Sequence, residues 1–245
     1  MDAAGVFEGG NVKHVIGLSG GKDSTAMALR LMEVEPRDYT FIITPTGREL
    51  PPMIAHWEKL EKLLGKPLVR ITNGGRTLTD LIQIQGALPN WRHRWCTRML
   101  KIEPTIAWIM QNSPATMYVG LRADEETREG IYDERIVSDY PLRRWGWGIK
   151  DVWRYLSDKG MEIPKRTDCD CCYGQRLGEW KDLWRDNPER YEAAAAEERS
   201  TGHTYRSPGR DTWPAALDDL AKEFASGRKV RGENKAVESC RVCRL

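Results

Sequence analysis

The chain has only three phenylalanines among its 245 residues, a net charge of only +2 from 38 Lys and Arg against 36 Asp and Glu, and no long apolar run. Each shortage excludes something. A near-neutral balance supplies no global field to draw the whole chain onto nucleic acid or a membrane. Without roughly 20 consecutive apolar residues no membrane span is expected. No basic segment followed by an apolar one opens the sequence, so the expected location is cytoplasmic, with no membrane partner. Six cysteines in such a chain are expected to be reduced, which favours metal ligation or redox chemistry over a disulfide framework. Internal repeats are absent, and low complexity is confined to the short run Ala193–Ala196.

Charge is clustered locally instead. Arg92, Arg94, Arg98 and Lys101 crowd one stretch, and Arg228, Lys229, Arg231 and Lys235 another. Each reads as a solvated basic face or as a polyanion site.

The most informative segment is Ser19-Gly20-Gly21-Lys22-Asp23-Ser24, placed between the apolar run Val15–Leu18 and the helical pattern Thr25–Met32. It reads as strand, phosphate loop and helix. The glycines let backbone N–H groups face an anion without Cβ interference, and a helix starting near Asp23 adds its positive dipole end. Lys22 adds a mobile point charge. A Walker A loop would need Gly at Ile16 and Ser or Thr at Asp23, so that loop is excluded on spacing. The hexapeptide resembles the PP-loop of the ATP pyrophosphatases, the adenine nucleotide alpha hydrolase-like superfamily, whose members cleave ATP between the α and β phosphates.

Strands are expected at Val12–Leu18, Tyr39–Thr44, Leu68–Thr72 and Thr116–Leu121, and helices at Ser24–Val34, Pro52–Leu64, Thr79–Gly86 and Ile102–Gln111. Such alternation predicts an α/β fold with a parallel sheet flanked by helices. Ligands then sit beyond the carboxyl ends of the strands, at Ser19, Thr44 and Leu121. Further on, helices are expected at Asp151–Lys159, Glu179–Arg199 and Pro214–Ser226. The expected division is a nucleotide-binding α/β domain over residues 1–150 and a helical, cysteine-containing C-terminal region over 151–245 packed on it.

More segments resemble one branch of that superfamily, the phosphoadenosine phosphosulfate reductase family. Thr44 to Pro51 is similar to its Asp-Thr-Gly-x-Glu-x-Pro segment, with Pro45 in place of the aspartate and Thr46 and Gly47 matching. Cys96-Thr97, Lys101 and Pro104 resemble its Cys-Thr-x-x-x-Lys-x-x-Pro stretch, and Gly120, Arg122, Glu125 and Arg128 its Gly-x-Arg-x-x-Glu-x-x-Arg stretch. Tyr140-Pro141-Leu142, Trp147 and Asp151-Val152-Trp153 follow in order. The resemblance implies nucleotide binding by Ser19, Gly20, Gly21, Lys22, Asp23, Ser24, Thr46, Gly47, Gly120, Arg122 and Arg128, with Lys22 and Asp23 also catalytic. Charge on a leaving pyrophosphate would be neutralised by Lys22, the loop amides and Mg²⁺. Arg122 and Arg128 can grip phosphate or sulfate in bidentate fashion, or pair with Asp124, Glu125, Glu126 and Glu129. Trp95, Trp145, Trp147 and Trp153 are expected mostly in the core.

Cysteines form the second constellation: Cys96 alone, Cys169-Asp170-Cys171-Cys172, and Cys240-Arg241-Val242-Cys243. In one reading Cys96, Cys169 and Cys172 hold a [4Fe–4S] cluster, with Cys240 or Cys243 as fourth ligand or the fourth iron open. In the other, the two Cys-x-x-Cys pairs bind structural Zn²⁺, although the stretch between them far exceeds the ~15–20 residues of a zinc ribbon. Cys171 is expected to be buried as a small apolar residue. The resemblance adds weight to iron and to convergence of Cys96, Cys169 and Cys172.

Together these imply an enzyme that binds ATP, adenylates an acceptor and directs sulfur to it, as in tRNA thiolation or DNA phosphorothioation. Implied partners are a tRNA or DNA acceptor and a sulfur donor such as a cysteine desulfurase, with Cys240, Cys243 or the open iron delivering sulfide or persulfide. Two alternatives stand: a sulfonucleotide reductase in which Cys240 attacks the sulfate sulfur, and a nucleotide- and cluster-sensing regulator without turnover.

Overall fold

Short runs of β-branched and aromatic residues alternate along the chain with amphipathic helices, and the strands pair as that alternation requires. The computed structural model describes residues 12–125, 127–128 and 134–231. Among them β1 (Lys13–Gly17), β2 (Tyr39–Ile43), β3 (Val69–Arg70), β4 (Ala115–Tyr118) and β5 (Val137–Asp139) form one sheet in the order β3-β2-β1-β4-β5. All four pairings are parallel. His14 on β1 stands in register with Tyr39 of β2 and Thr116 of β4, so β1 is central and buried between neighbours. The strand order reverses between β1 and β4, which opens a crevice at their carboxyl ends.

Helices cover both faces. α1 (Lys22–Val34) and α2 (Pro51–Leu64) follow β1 and β2. α2 starts on a proline pair, which needs no N–H partner there, and stops at Gly65 with φ +65°. Thr77 and Asp80 make a reciprocal capping box at the start of α3 (Leu78–Gln85). A short turn α4 (Trp95–Thr97) passes through π-helical residues Arg98–Ile102 into α5 (Glu103–Gln111). Pro104 lacks the N–H that would close an α-turn onto the Leu100 carbonyl, and the wider π-turn absorbs that break. The helical segment thus begins at Trp95, before the expected start at Ile102.

α6 (Pro141–Arg144) and α7 (Ile149–Asp158) follow β5, then α8 (Leu177–Asp186), α9 (Pro188–Thr201) and α10 (Leu217–Ala225). The single helix expected over Glu179–Arg199 is therefore two. Asn187 takes a non-helical conformation before Pro188, as the ring of a following proline favours. The short strand β5 was not expected from the sequence at all.

The apolar core of the sheet includes Ile16, Met27, Phe41 and Trp57, and it extends through Val152 and Leu156 of α7 to Met161. A second core joins Leu78, Leu81 and Ile82 of α3 to Trp180, Tyr191, Leu217 and Phe224 of α8 to α10. α7 packs on α1, and α3 packs with the C-terminal helices.

A buried ion-pair network ties these layers together. Arg48, just past β2, donates from Nε to Asp170 Oδ1 at 2.8 Å and from Nη1 to Glu197 Oε1 at 2.5 Å. Asp170 also accepts from Arg190 at 2.8 Å, and Glu197 from the Tyr205 hydroxyl at 2.6 Å. Backbone pairing reinforces the tie: Asp170 N–H donates to the Arg48 carbonyl at 2.8 Å, and Glu49 bridges Cys169. Arg48→Ala would leave two buried carboxylates without their main cation. It is expected to cost about 3–5 kcal/mol in urea unfolding, against well under about 1 kcal/mol for the exposed pair partner Arg98→Ala.

Glu198 is buried beside this network, its carboxylate accepting from Leu217 N–H at 2.7 Å and Tyr205 N–H at 2.8 Å. Burial pushes its pKa up to about 7 against the pull of those two donors. Because the folded state then holds a proton that the unfolded chain releases near the ordinary carboxylate value, stability falls as pH rises from about 4.5 to about 7 and levels off above. The drop is at most roughly 3 kcal/mol. Urea midpoints measured across that range should lose this slope in Glu198→Gln.

Candidate functional site

β1 runs into Ser19–Ser24, and the structure turns that segment into an open phosphate cradle. Gly21 caps α1 in extended conformation with no side chain on the first helical amides, so those N–H groups face outward. The Ser24 hydroxyl donates to the Gly21 carbonyl at 3.2 Å, and Ser19 Oγ and Ser24 Oγ stand 3.0 Å apart, which fixes the loop's curl. Gly20 has φ +80°, and a Cβ there would lie 2.1 Å from Met53 Cε and 2.8 Å from Trp57 Nε1. Trp57 Nε1 in turn donates to the Ser19 carbonyl at 3.3 Å. On the other side Gly120, after β4, approaches the start of α1 so closely that a Cβ would lie 3.1 Å from the Ser24 nitrogen.

The loop opens on a cavity of about 500 Å³ at the β1/β4 switch point. Ser19, Thr44 and Leu121 all line it, as expected of the strands' carboxyl ends, together with Gly21, Lys22, Asp23, Ser24, Gly120, Arg122 and Arg128. Gly20 stands behind the loop against Trp57 rather than on the wall. Lys22 and Arg122 are both buried, at 7% and 9% exposure, and both reach Asp23 Oδ2, at 3.2 Å and 2.9 Å. Arg122 Nε also donates to Asp124 at 2.8 Å, and Arg128 pairs with Glu125. The two arginines expected to grip phosphate are thus on the cavity wall and engaged with the acidic neighbours at once. Asp23 Oδ1 is buried with no partner among the described residues, an acceptor suited to the water shell of a divalent cation.

Trp145 and Trp147 pack against the sheet core and Trp95 against the second core. Trp153, the fourth, is 40% exposed and lines the cavity.

Thr46 and Gly47, expected among the nucleotide ligands, are held elsewhere. Glu49 accepts from Thr46 N–H and Oγ1 at 2.7 Å each and from Gly47 N–H at 3.0 Å, and this turn faces the cysteines. Thr46 Oγ1 lies 3.2 Å from Cys169 Sγ. Gly47 has φ +78°, and a Cβ there would lie 2.7 Å from Thr77 Cγ2, so only glycine fits. Arg48, between this turn and Glu49, is tied to Asp170 of the cysteine segment.

Cys96, Cys169, Cys171 and Cys172 line one small, mostly apolar cavity of about 50 Å³, with Thr46, Lys101 and Asp168. Lys101 and Asp168 also line the large cavity, so the two share a wall. Burial pushes the Cys169 thiol up to about 12, opposed by Lys101 and the Thr46 hydroxyl, and burial also raises Cys96 and Cys171. Cys171 is 1% exposed, as expected for a buried small residue. Among the described residues no three His, Cys, Asp or Glu side chains are drawn together as a metal site. Four thiols with a single carboxylate, Asp168, beside them are a mainly sulfur donor set, the kind that suits a soft metal or an iron–sulfur cluster. Cys240 and Cys243 lie outside the described residues, as does the basic residue Lys235. No helix among the described residues is long and apolar enough to cross a membrane.

Arg48, Asp170 and Glu197 went unread in the sequence. Their ion pairs span 122 and 149 positions, and nothing local marks a charged residue as buried.

Comparison with known proteins gives three likenesses. The chain is 24% identical over 195 residues to an uncharacterized protein of Methanocaldococcus jannaschii, a match covering 73% of this chain and 40% of that protein. The chain therefore spans about two fifths of the length of that curated relative. Its fold is similar to that of the phosphoadenylyl-sulfate reductase of Candida auris in its phosphate complex, with a TM-score of 0.51 and 15% identity, covering 66% of this chain and 78% of that one. The U34-tRNA thiolase NcsA of Methanococcus maripaludis with its [4Fe–4S] cluster gives a TM-score of 0.49 at 14% identity, covering 87% of this chain and 81% of that one. The profile of the phosphoadenosine phosphosulfate reductase domain matches residues 13–168, from the start of β1 to the residue before Cys169. With that span running through phosphate loop, crevice and shared wall, the chain belongs to the phosphoadenosine phosphosulfate reductase domain family.

Proposed function

We propose that the protein is an ATP pyrophosphatase-type sulfurtransferase: it cleaves ATP between the α and β phosphates, adenylates an acceptor and supports sulfur delivery to the activated position. The observation that carries this reading is the pair of cavities. An uncapped phosphate loop and a wall of thiols stand on either side of Lys101 and Asp168.

In this reading the loop amides, Lys22 and Mg²⁺ take up charge on the departing pyrophosphate. An acceptor oxygen bonds to the α phosphorus, the bond to the β-phosphate oxygen breaks, and pyrophosphate leaves with the electron pair. Asp23 holds Lys22 and Arg122 in place and offers Oδ1 to the cation. A sulfur nucleophile, obtained from a donor such as a cysteine desulfurase, then displaces AMP from the acceptor carbon or phosphorus. Cys96, Cys169 and Cys172 would hold a [4Fe–4S] cluster, with Cys240 or Cys243 as the fourth thiolate, and the cluster would supply an iron that binds sulfide near the nucleotide. Lys101 offsets negative charge on Cys96 and Cys169.

A second reading, sulfonucleotide reduction, is favoured by the family match itself and by the Candida auris likeness. It needs a thiol that attacks the sulfate sulfur, the role expected of Cys240. The two readings separate by ligand: calorimetry should show Mg²⁺-ATP binding, and uptake of phosphoadenosine phosphosulfate with no uptake of ATP would establish the reductase instead.

Lys22→Ala should slow pyrophosphate release by on the order of a hundredfold or more while leaving the unfolding midpoint close to the parent's. Release at the parent rate would remove the phosphate loop from the mechanism, and an absence of release from the parent with tight ATP binding would point to a regulator. In anaerobically purified protein, replacing Cys96, Cys169 or Cys172 by Ala should remove visible cluster absorbance and the iron and sulfide counts, whereas Cys171→Ala should keep them. A zinc count surviving in Cys96→Ala would assign the metal to the Cys-x-x-Cys pairs.

A further inference from the structure

Part of the nucleotide cavity's wall comes from beyond α7, where the stretch from Ile163 to Asp168 lines it and is followed on the same wall by Gly174, Arg176 and Glu179. Thr167 brings this wall against the phosphate loop, its Oγ1 lying 3.7 Å from where a Cβ on Gly21 would stand. Arg166 clamps the two stretches together. Its Nη2 donates to the Cys169 carbonyl at 2.7 Å and to Gln175 Oε1 at 3.0 Å, and its Nε to Asp168 at 3.1 Å. The backbone of Arg176 is pinned in turn: its N–H donates to Glu179 Oε2 at 2.6 Å, and its carbonyl accepts from Trp180 N–H at 3.0 Å.

The side chain is not. Among the described residues the half-buried Arg176 guanidinium makes no hydrogen bond, ion pair or ring contact. The other arginines on the cavity wall each meet a carboxylate: Arg122 pairs with Asp124, Arg128 with Glu125 and Arg166 with Asp168. Glu179 does not serve Arg176 in this way, because it accepts from the backbone N–H and its charge supports that of Arg166. A guanidinium presents five donors in a fixed fork and is matched by two oxygens of one phosphate or carboxylate. Held on a rigid backbone, partly out of water and without a counter-charge, it gains a charge-assisted contact from an oxyanion without first giving one up. The phosphate loop beside it is shaped for the same kind of ligand.

We propose that Arg176 binds the pyrophosphate half of the nucleotide, its fork taking phosphate oxygens while the loop amides and Lys22 take others. This rests on the ATP reading above and deepens it: the C-terminal wall, as well as the loop, tells a nucleoside triphosphate from a monophosphate. Arg176 stands beyond residues 13–168, the span matched by the family profile, so the contact is one that this chain adds from its own C-terminal region.

Calorimetry on the full chain with Mg²⁺-ATP, Mg²⁺-pyrophosphate and AMP tests the assignment. Arg176→Ala should weaken ATP and pyrophosphate about tenfold or more and leave AMP unchanged. Arg176→Lys, which keeps the charge and loses the fork, should fall between parent and Arg176→Ala. Because the side chain has no partner to lose, the urea midpoints of both variants should stay at the parent's. Parent-like affinity of Arg176→Ala for ATP and pyrophosphate overturns the proposal. So does a loss for AMP as large as that for ATP, which would place the arginine at the α phosphate. A parent that binds phosphoadenosine phosphosulfate and not ATP would defeat the ATP reading, and parent-like affinity of Arg176→Ala for that sulfonucleotide would then remove Arg176 from the site as well.

Discussion

The Arg48–Asp170 pair is the constraint on which the sulfur side of the molecule depends. Asp170 is fully buried, and its two oxygens are taken by Arg48 and Arg190. One contact fastens the cysteine turn to the end of β2 and the other to α9. Ion pairs this deep add little net stability against an apolar substitute, because desolvation cancels most of the attraction. What they do is forbid alternatives: the turn cannot shift without stranding a charge. Cys169, Cys171 and Cys172 are therefore delivered to one place by their neighbour Asp170. Thr46, two residues before Arg48, lies beside the same thiols, its Oγ1 3.2 Å from Cys169 Sγ.

Cys96 arrives by a different device. Pro104 breaks the α-helical hydrogen-bond ladder, the π-turn over Arg98–Ile102 absorbs the break, and the helix keeps its direction with Lys101 on the shared wall. Segments more than seventy residues apart in the chain thus meet around one apolar space. Burial keeps the thiols protonated there, so uptake of a soft metal would release protons and be favoured by rising pH. The positive charge of Lys101 works in the direction of the thiolates without neutralising the desolvation that holds them back.

How much of this was legible in the sequence follows from how local each determinant is. The phosphate loop could be read because strand, glycines, lysine and helix start are contiguous, and β1, β2, α1 and α2 came with it. The crevice followed from parallel topology alone. The break at Asn187 was also locally encoded, in the Asn-Pro step, and was hidden by the alanine-rich run that follows it. β5 is three residues long and pairs only with β4, too little to show a period. Long-range pairs left no trace: Arg48 and Asp170 look like any solvent-facing charges until the fold buries them. The motif placed Thr46 and Gly47 after β2, but the contact of Thr46 with Cys169, 123 positions away, had no local signal.

The charge arrangement around Asp23 bears on how the nucleotide cavity would be filled. Lys22 and Arg122, the two buried cations nearest the loop, both reach the same carboxylate oxygen. A polyphosphate alone would have to take these cations from Asp23 and leave a half-buried carboxylate bare, and a divalent cation alone would have to compete with them for it. If the two arrived together, phosphate oxygens could replace Asp23 as partners of Lys22 and Arg122 while the metal took their place at Asp23, so that no charge would be left without a partner. Asp124 and Glu125 complete the balance by holding Arg122 on the wall while its contact with Asp23 is exchanged. The loop thus presents two cations and a carboxylate together at one point, a charge arrangement that its glycines and helix dipole do not supply by themselves.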